Sequence, residues 1–146
     1  MSRHLRYSLI ATACLLASGC FWETNDASYS TAREVIDNGF LEKGWIPRWL
    51  PPDATDLRET HNIDSNVSEL SFSIPGKSSL ELPGSCTPVA FKDTVPAYIQ
   101  RHWWPTEQDL RGSYTFFRCS PDATDYTFVG INKNGQRVLH WRTYAR

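Results

Sequence analysis

The strongest constraint on the fold lies near the C-terminus. Two aromatic, strand-like runs, 126–133 and 136–144, are joined through Asn134-Gly135. That dipeptide is the strongest short signal for a hairpin, so an antiparallel hairpin is expected there. A third aromatic run, 114–119, precedes the hairpin. Upstream, 67–74 alternates: Leu70, Phe72 and Ile74 face one way, and Glu69, Ser71 and Ser73 the other. It is preceded by 57–63 across the polar turn Asp64-Ser65-Asn66, which predicts a second hairpin.

Two helices are expected. Thr31-Ala32-Arg33-Glu34 is a capping box. Ala32, Val35, Ile36 and Phe40 follow at helical spacing, and Gly39 is the natural stop. The second helix is expected over 94–104, capped by Asp93 or Thr94. Val95, Tyr98, Ile99 and Trp103 form its stripe, and Pro105 ends it. Helix, two strands, helix, three strands predicts an α+β fold: a small single domain, mainly an antiparallel sheet of about five strands with two helices. Between the first helix and the first hairpin runs Gly44-Trp45-Ile46-Pro47-Arg48-Trp49-Leu50-Pro51-Pro52. Three prolines within residues 47–52 exclude helix and central strand, so this is an extended arm. Its four large apolar residues must pack on something.

The N-terminus reads as a cleaved export signal. Arg3, His4 and Arg6 precede an uncharged run, 7–17, too short to span a bilayer, and then the small residues Ser18 and Gly19. The segment Leu15-Leu16-Ala17-Ser18-Gly19-Cys20 resembles the lipobox of bacterial lipoproteins. The resemblance implies that Cys20 becomes the first mature residue and carries acyl chains, which anchor the protein to a membrane. It also implies that Phe21, not being aspartate, favours the outer membrane over the inner. The organisation expected is therefore 1–19 as lipoprotein signal peptide, 20–30 as lipidated cysteine and tether, and 31–146 as the globular domain.

Loss of the signal takes Arg3 and Arg6 with it, leaving 13 basic against 16 acidic residues, with no basic run. Nucleic acid is thereby disfavoured as a partner. Cys14 leaves with the signal and Cys20 is spent on lipid, so Cys86 and Cys119 remain as an even pair in an oxidising compartment. A disulfide between them is expected. Without a C-x-x-C, and with scattered histidines, no metal or other cofactor is expected.

The stretch Gly39-Phe40-Leu41-Glu42-Lys43-Gly44-Trp45-Ile46-Pro47, Leu50-Pro51, Ala54-Thr55-Asp56-Leu57 and His61-Asn62-Ile63-Asp64-Ser65-Asn66 resembles a family of small bacterial lipoproteins. Its members carry a Gly-Trp-Ile-Pro, Leu-Pro, Ala-Thr-x-Ile and Asp-Thr-Asn pattern. Leu57 and Ser65 are mild departures from it. The resemblance covers about residues 31–75, and loosely the C-terminal strands. It implies an envelope location and brings no catalytic residue with it.

No catalytic signature stands out. Gly76-Lys77-Ser78 lacks the upstream glycine of a phosphate loop, and no Gly-x-Ser-x-Gly elbow is present. Pro-Asp-Ala-Thr-Asp occurs twice, at 52–56 and 121–125, and reads as two turns. Alternation in the C-terminal strands puts Phe117, Cys119, Val129, Ile131, Leu139 and Trp141 in one set. Phe116, Arg118, His140, Arg142 and Tyr144 fall in the other, with Tyr114, Tyr126 and Phe128. That second set is either an exposed aromatic face binding a sugar or peptide, or core covered by the arm or first helix. The chain is therefore expected to be a non-enzymatic, lipid-anchored envelope protein that binds an envelope protein or cell-wall component. A small cell-wall hydrolase is the alternative.

Overall fold

The computed structural model describes residues 23–76, 80–120 and 126–144. Cys20, the signal segment, Lys77, Ser78 and the second Pro-Asp-Ala-Thr-Asp lie outside them. The elements are β1 (Thr24–Thr31), α1 (Ala32–Asp37), β2 (Thr55–Asn62), β3 (Ser68–Ser73), β4 (Thr87–Val89), α2 (Glu107–Ser113), β5 (Tyr114–Arg118), β6 (Tyr126–Asn132) and β7 (Arg137–Thr143). Short 3-10 turns occupy Phe40–Lys43 and Phe91–Asp93. All strands join one antiparallel sheet in the order β1-β2-β3-β7-β6-β5-β4. Two meanders, β1–β3 and β4–β7, thus meet edge to edge where β3 pairs β7.

The α+β class and the mainly antiparallel sheet hold, with seven strands instead of about five. Both expected hairpins form. Asn62 closes the first: its Oδ1 accepts from Ser65 N at 2.8 Å and Ser65 Oγ at 2.7 Å. Gly135, at φ +73, closes the second. The additional strands are β1 and β4. β1 spans most of what the sequence reads as tether, so the folded domain begins by Thr24 and not at Thr31. β1 lies at the sheet's edge, and only Ala27 and Tyr29 turn an apolar surface to the arm face, which leaves the sequence with a weak periodic signal. β4 is three residues long, too short for any periodic signal.

The first capping box works as expected. Thr31 Oγ1 accepts from Glu34 N at 3.4 Å, and Glu34 Oε2 accepts from Ser30 N at 3.2 Å. Gly39, at φ +69, takes the left-handed position past the helix end. The second helix is displaced: 94–104 is irregular and α2 starts at Glu107. Thr94 Oγ1 donates to the Phe91 carbonyl and closes the 3-10 turn instead of capping a helix. Gln100 sits at φ +52, outside the helical region. Its N–H and that of Ile99 donate to the Glu69 carboxylate, not to carbonyls four residues back. Thr106 is the true cap, accepting from Asp109 N at 3.2 Å.

Paired residues in a ladder point to the same side, so the register defines two faces. On the first, Leu57, Leu70, Phe72, Val129 and Val138 are buried under Ala32 and Val35 of α1 and Ile46, Leu50 and Ala54 of the arm. On the second, Tyr114, Phe116, Phe128, Leu139 and Trp141 are buried under Ala97 and Trp104 of the β4–β5 connection. These are called the arm face and the loop face. Each fully buried phenylalanine, Phe72 and Phe128, contributes about 1.5–3 kcal/mol. The loop is fastened by Trp141 Nε1, which donates to the Val95 carbonyl at 2.8 Å, and by Glu69. Close packing shows at Gly130, where an added Cβ would lie 3.2 Å from the Phe116 ring.

Cys86 and Cys119 form the expected disulfide. By the β4–β5 register they stand opposite one another, one step beyond Thr87 and Arg118.

Candidate functional site

The five residues read as one candidate binding face do not share a face. Val129 pairs His140 and Thr127 pairs Arg142, so His140 and Arg142 lie on the arm face with Val129. Phe116 and Arg118 lie on the loop face with Phe128, Leu139 and Trp141. The parity slip falls within β7, because the Asn134-Gly135 turn sets Ile131 against Val138. Phe116 is buried, 5 % exposed, beside Phe91, Tyr114 and Trp141. The arm does not cover it; the arm covers the opposite face. Arg118 lies over the Tyr126 ring, 5.2 Å from its centre. Tyr144, 38 % exposed, packs on Tyr98 with ring centres 5.2 Å apart. No joint aromatic ligand face exists there.

The structure instead gathers polar groups on the arm face. Register places His61, Ser68, Arg142 and Thr127 in one row across four strands, and Glu59, Leu70, His140 and Val129 in the next. Glu59 and His61 are two apart on β2 and therefore point the same way. His61 Nδ1 lies 3.0 and 3.1 Å from the two Glu59 oxygens. Trp45 stacks on the His61 ring, centres 3.6 Å apart and planes within 10°. Trp49 meets the His140 ring edge-on at 5.8 Å. Two of the arm's four large residues thus seal this polar row, while Ile46 and Leu50 fill the core beside it.

Burial governs the protonation of these groups. Glu59, 3 % exposed, is pushed up to about 8 by desolvation first and by the Asp26 charge second. His61 is lowered by burial and by Lys43. Neutral Glu59 beside neutral His61 leaves the pair with no net charge, the state a low-dielectric site favours. His140 is lowered to about 3 by burial and by Arg142, and stays neutral. Among the described residues, His140 Nδ1, Ser68 Oγ and Arg142 Nε are buried without a hydrogen-bond partner.

Glu59 also lines a groove of ≈ 1090 Å³ running along β1. Tyr29, Glu34 and Glu59 line it on the arm-face side. On the loop-face side stand Asp26, Arg58, Arg101, His102 and Trp103. Asp26 accepts from Arg101 Nε and Nη2, both at 2.8 Å, which holds its carboxyl below the usual range. Asp56 sits at a β-bulge in β2 with φ +47 and accepts from Arg137 Nη2 at 2.7 Å, with a similar lowering. The sequence reads Asp56 as a turn residue bonding local amides; the structure gives it a long-range arginine. A smaller cavity of ≈ 250 Å³ on the loop face is lined by Phe91, Ala97, Trp104, Leu110 and Trp141 and suits a small apolar group.

The raised carboxyl of Glu59 and the lowered one of Asp26 are the pairing that acid–base chemistry exploits. Their geometry opposes such use. Ala27 pairs Glu59 and Asp26 pairs Thr60, so the two carboxyls leave the sheet on opposite faces and do not converge on one bond. Among the described residues no three of His, Cys, Asp and Glu gather as metal ligands. What remains is a groove with polar walls and an open strand edge, an arrangement suited to binding. Sequence reasoning missed Glu59 and Glu69, and weighed His61 only as one of the scattered histidines. The available signal was Glu59-Thr60-His61, which puts two ionisable groups on one face of a strand between the apolar Leu57 and Ile63.

No curated protein and no solved structure matches the chain. A family model described as the YbbD head domain matches residues 23–73, the span that holds β1, α1, the arm, β2 and β3 and with them the Glu59–His61 pair and the arm-face wall of the groove.

Proposed function

We propose that this is a lipid-anchored envelope protein, held by acyl chains on Cys20 at the periplasmic side of the outer membrane, that binds another envelope component without catalysis. One observation carries the placement: the apolar N-terminal run ending in Gly19-Cys20. The Cys86–Cys119 bond supports it, since such bonds persist in oxidising compartments. The binding role is supported by the groove along β1 and by the separation of Asp26 from Glu59. Labelled palmitate fed to producing cells tests the anchor. The wild type is expected to take up label and Cys20→Ala to take up none. A wild type that never becomes labelled overturns the placement.

The hydrolase reading retains one observation in its favour, the protonated Glu59 in the groove. Purified protein incubated with peptidoglycan sacculi tests it. Release of soluble fragments by the wild type, lost in Glu59→Gln, would establish that reading and replace the non-catalytic one.

A further inference from the structure

Two edges bound the sheet among the described residues, and they differ. β4 is three residues long, has Pro88 at its centre and is tied to β5 by the disulfide. Short length and proline are the usual means of blunting an edge. β1 is eight residues long and contains no proline, glycine or lysine. Its outward groups follow from the ladder. Ile63 N donates to the Glu23 carbonyl at 3.4 Å, so Glu23 turns its backbone toward β2, and with period two so do Asn25, Ala27 and Tyr29. Asp26 and Ser28 therefore turn N–H and C=O away from the sheet. Ser30 belongs to the same outward series, and its N–H is taken by Glu34. No described strand pairs with this outer edge.

The edge is also walled. On the loop-face side Arg101 is paired with Asp26, Asp56 is shared between Arg58 and Arg137, and Trp103 offers a ring, so that wall presents no surplus of carboxylate. On the arm-face side Glu34 is ionisable and exposed, with Tyr29 and Glu59 beside it, and no basic side chain lines the groove there. A strand laid along β1 sends alternate side chains to the two walls. We propose that β1 is a docking edge for an extended segment of a partner protein, with basic residues at the alternate positions facing Glu34 and uncharged residues at those facing Arg101 and Trp103. This is β-strand addition: main-chain bonds to Asp26 and Ser28 supply affinity and the walls supply selectivity. It rests on the binding role proposed above and gives it a surface and a partner chemistry.

A second copy of this chain is the less suitable occupant. Antiparallel pairing of two β1 strands about a two-fold axis normal to the sheet keeps like faces together. Glu34 would then stand on the same side as its counterpart, and like charges would oppose the contact.

The test uses the purified protein with two fluorescent octapeptides, alternating Lys-Thr and alternating Glu-Thr. Amide exchange reads which protein N–H groups each peptide protects. The Lys-Thr peptide is expected to bind at least about tenfold tighter and to slow exchange at Asp26 and Ser28. Ser28→Pro removes one outward donor and leaves the β2 ladder its own, and is expected to abolish that protection. Glu34→Gln keeps the helix cap and is expected to erase most of the preference for lysine. Protection elsewhere, equal binding of both peptides, or a dimer in sedimentation that Ser28→Pro dissociates would each overturn the proposal. Crosslinking in cells separates it from the broader reading. An envelope component recovered equally with wild type and Ser28→Pro would remove β1 while leaving a binding role intact.

Discussion

Replacing Glu59 by Gln should change how stability depends on pH, with a sign fixed by burial. Glu59 holds its proton up to about pH 8 in the folded state but only to about 4.5 when unfolded. Between those values the folded state binds more protons, so stability falls as pH rises, by about 1.4 kcal/mol per unit for the full single-site effect. His140 acts in the opposite sense. Its folded value of about 3 lies below the ordinary 6.5, so its contribution is present above pH 6.5 and is lost as pH falls toward 3. His61, also lowered, shares that sense. The opposing slopes offset one another between pH 4.5 and 6.5. From 6.5 to 8 the carboxyl acts against folding without a histidine to offset it, costing the wild type about 2 kcal/mol over that interval. Gln at 59 keeps the shape and a hydrogen bond to His61 but has no proton to lose. Urea unfolding of both proteins at half-unit steps reads the difference between their stabilities. It should widen in favour of Glu59→Gln by about 2 kcal/mol between pH 6.5 and 8, or roughly 1 M in midpoint. Glu69, raised by the same burial, is common to both proteins and cancels in the comparison. A difference that stays flat across that interval would refute the assignment of the proton to Glu59.

Two further outcomes follow from the fold. Cys86→Ser with Cys119→Ser opens a 33-residue loop and should cost about 3–4 kcal/mol by loop-closure entropy, read as a fall in urea midpoint; the wild type should show no reactive thiol from this pair when unfolded without reductant. Glu69→Ala leaves the Ile99 and Gln100 N–H groups without their acceptor and should cost about 3 kcal/mol or more, with faster amide exchange across 97–104 before any change in β1–β3; unchanged exchange there would show that the loop is held by its aromatic side chains alone.

Local chemistry made several elements legible. Asn134-Gly135, the Thr31–Glu34 box and the alternation of 68–73 each act within a few residues, and each formed as read. The even cysteine pair, Cys86 and Cys119, also joined as expected. The second cap, Thr106-Glu107-Gln108-Asp109, was equally local, but the apolar spacing of 94–104 overshadowed it. That spacing was real, since Val95 and Trp103 do pack on the loop face. A helix was not needed to bring them there, because Glu69 supplies the acceptor that an irregular backbone lacks.

What only the tertiary structure decided is non-local. β1 is a strand because β2 offers it a ladder; Ala27 and Tyr29 by themselves give Thr24–Thr31 only a weak alternation. The arm went to the α1 side of the sheet and the β4–β5 connection to the other, a choice set by crossover geometry that periodicity does not encode. Register set Phe116 and His140 on opposite faces, and those two coverings buried each in turn, so the candidate aromatic face did not form. The arm's course also set Trp45 on His61 and drew the water away from Glu59. A carboxylate's proton affinity depends on the dielectric around it, and that dielectric is made by residues distant in sequence. The chain's own order determined its hairpins, first helix cap and disulfide; the packing of one meander against the other determined which polar groups are sealed and which strand edge stays open.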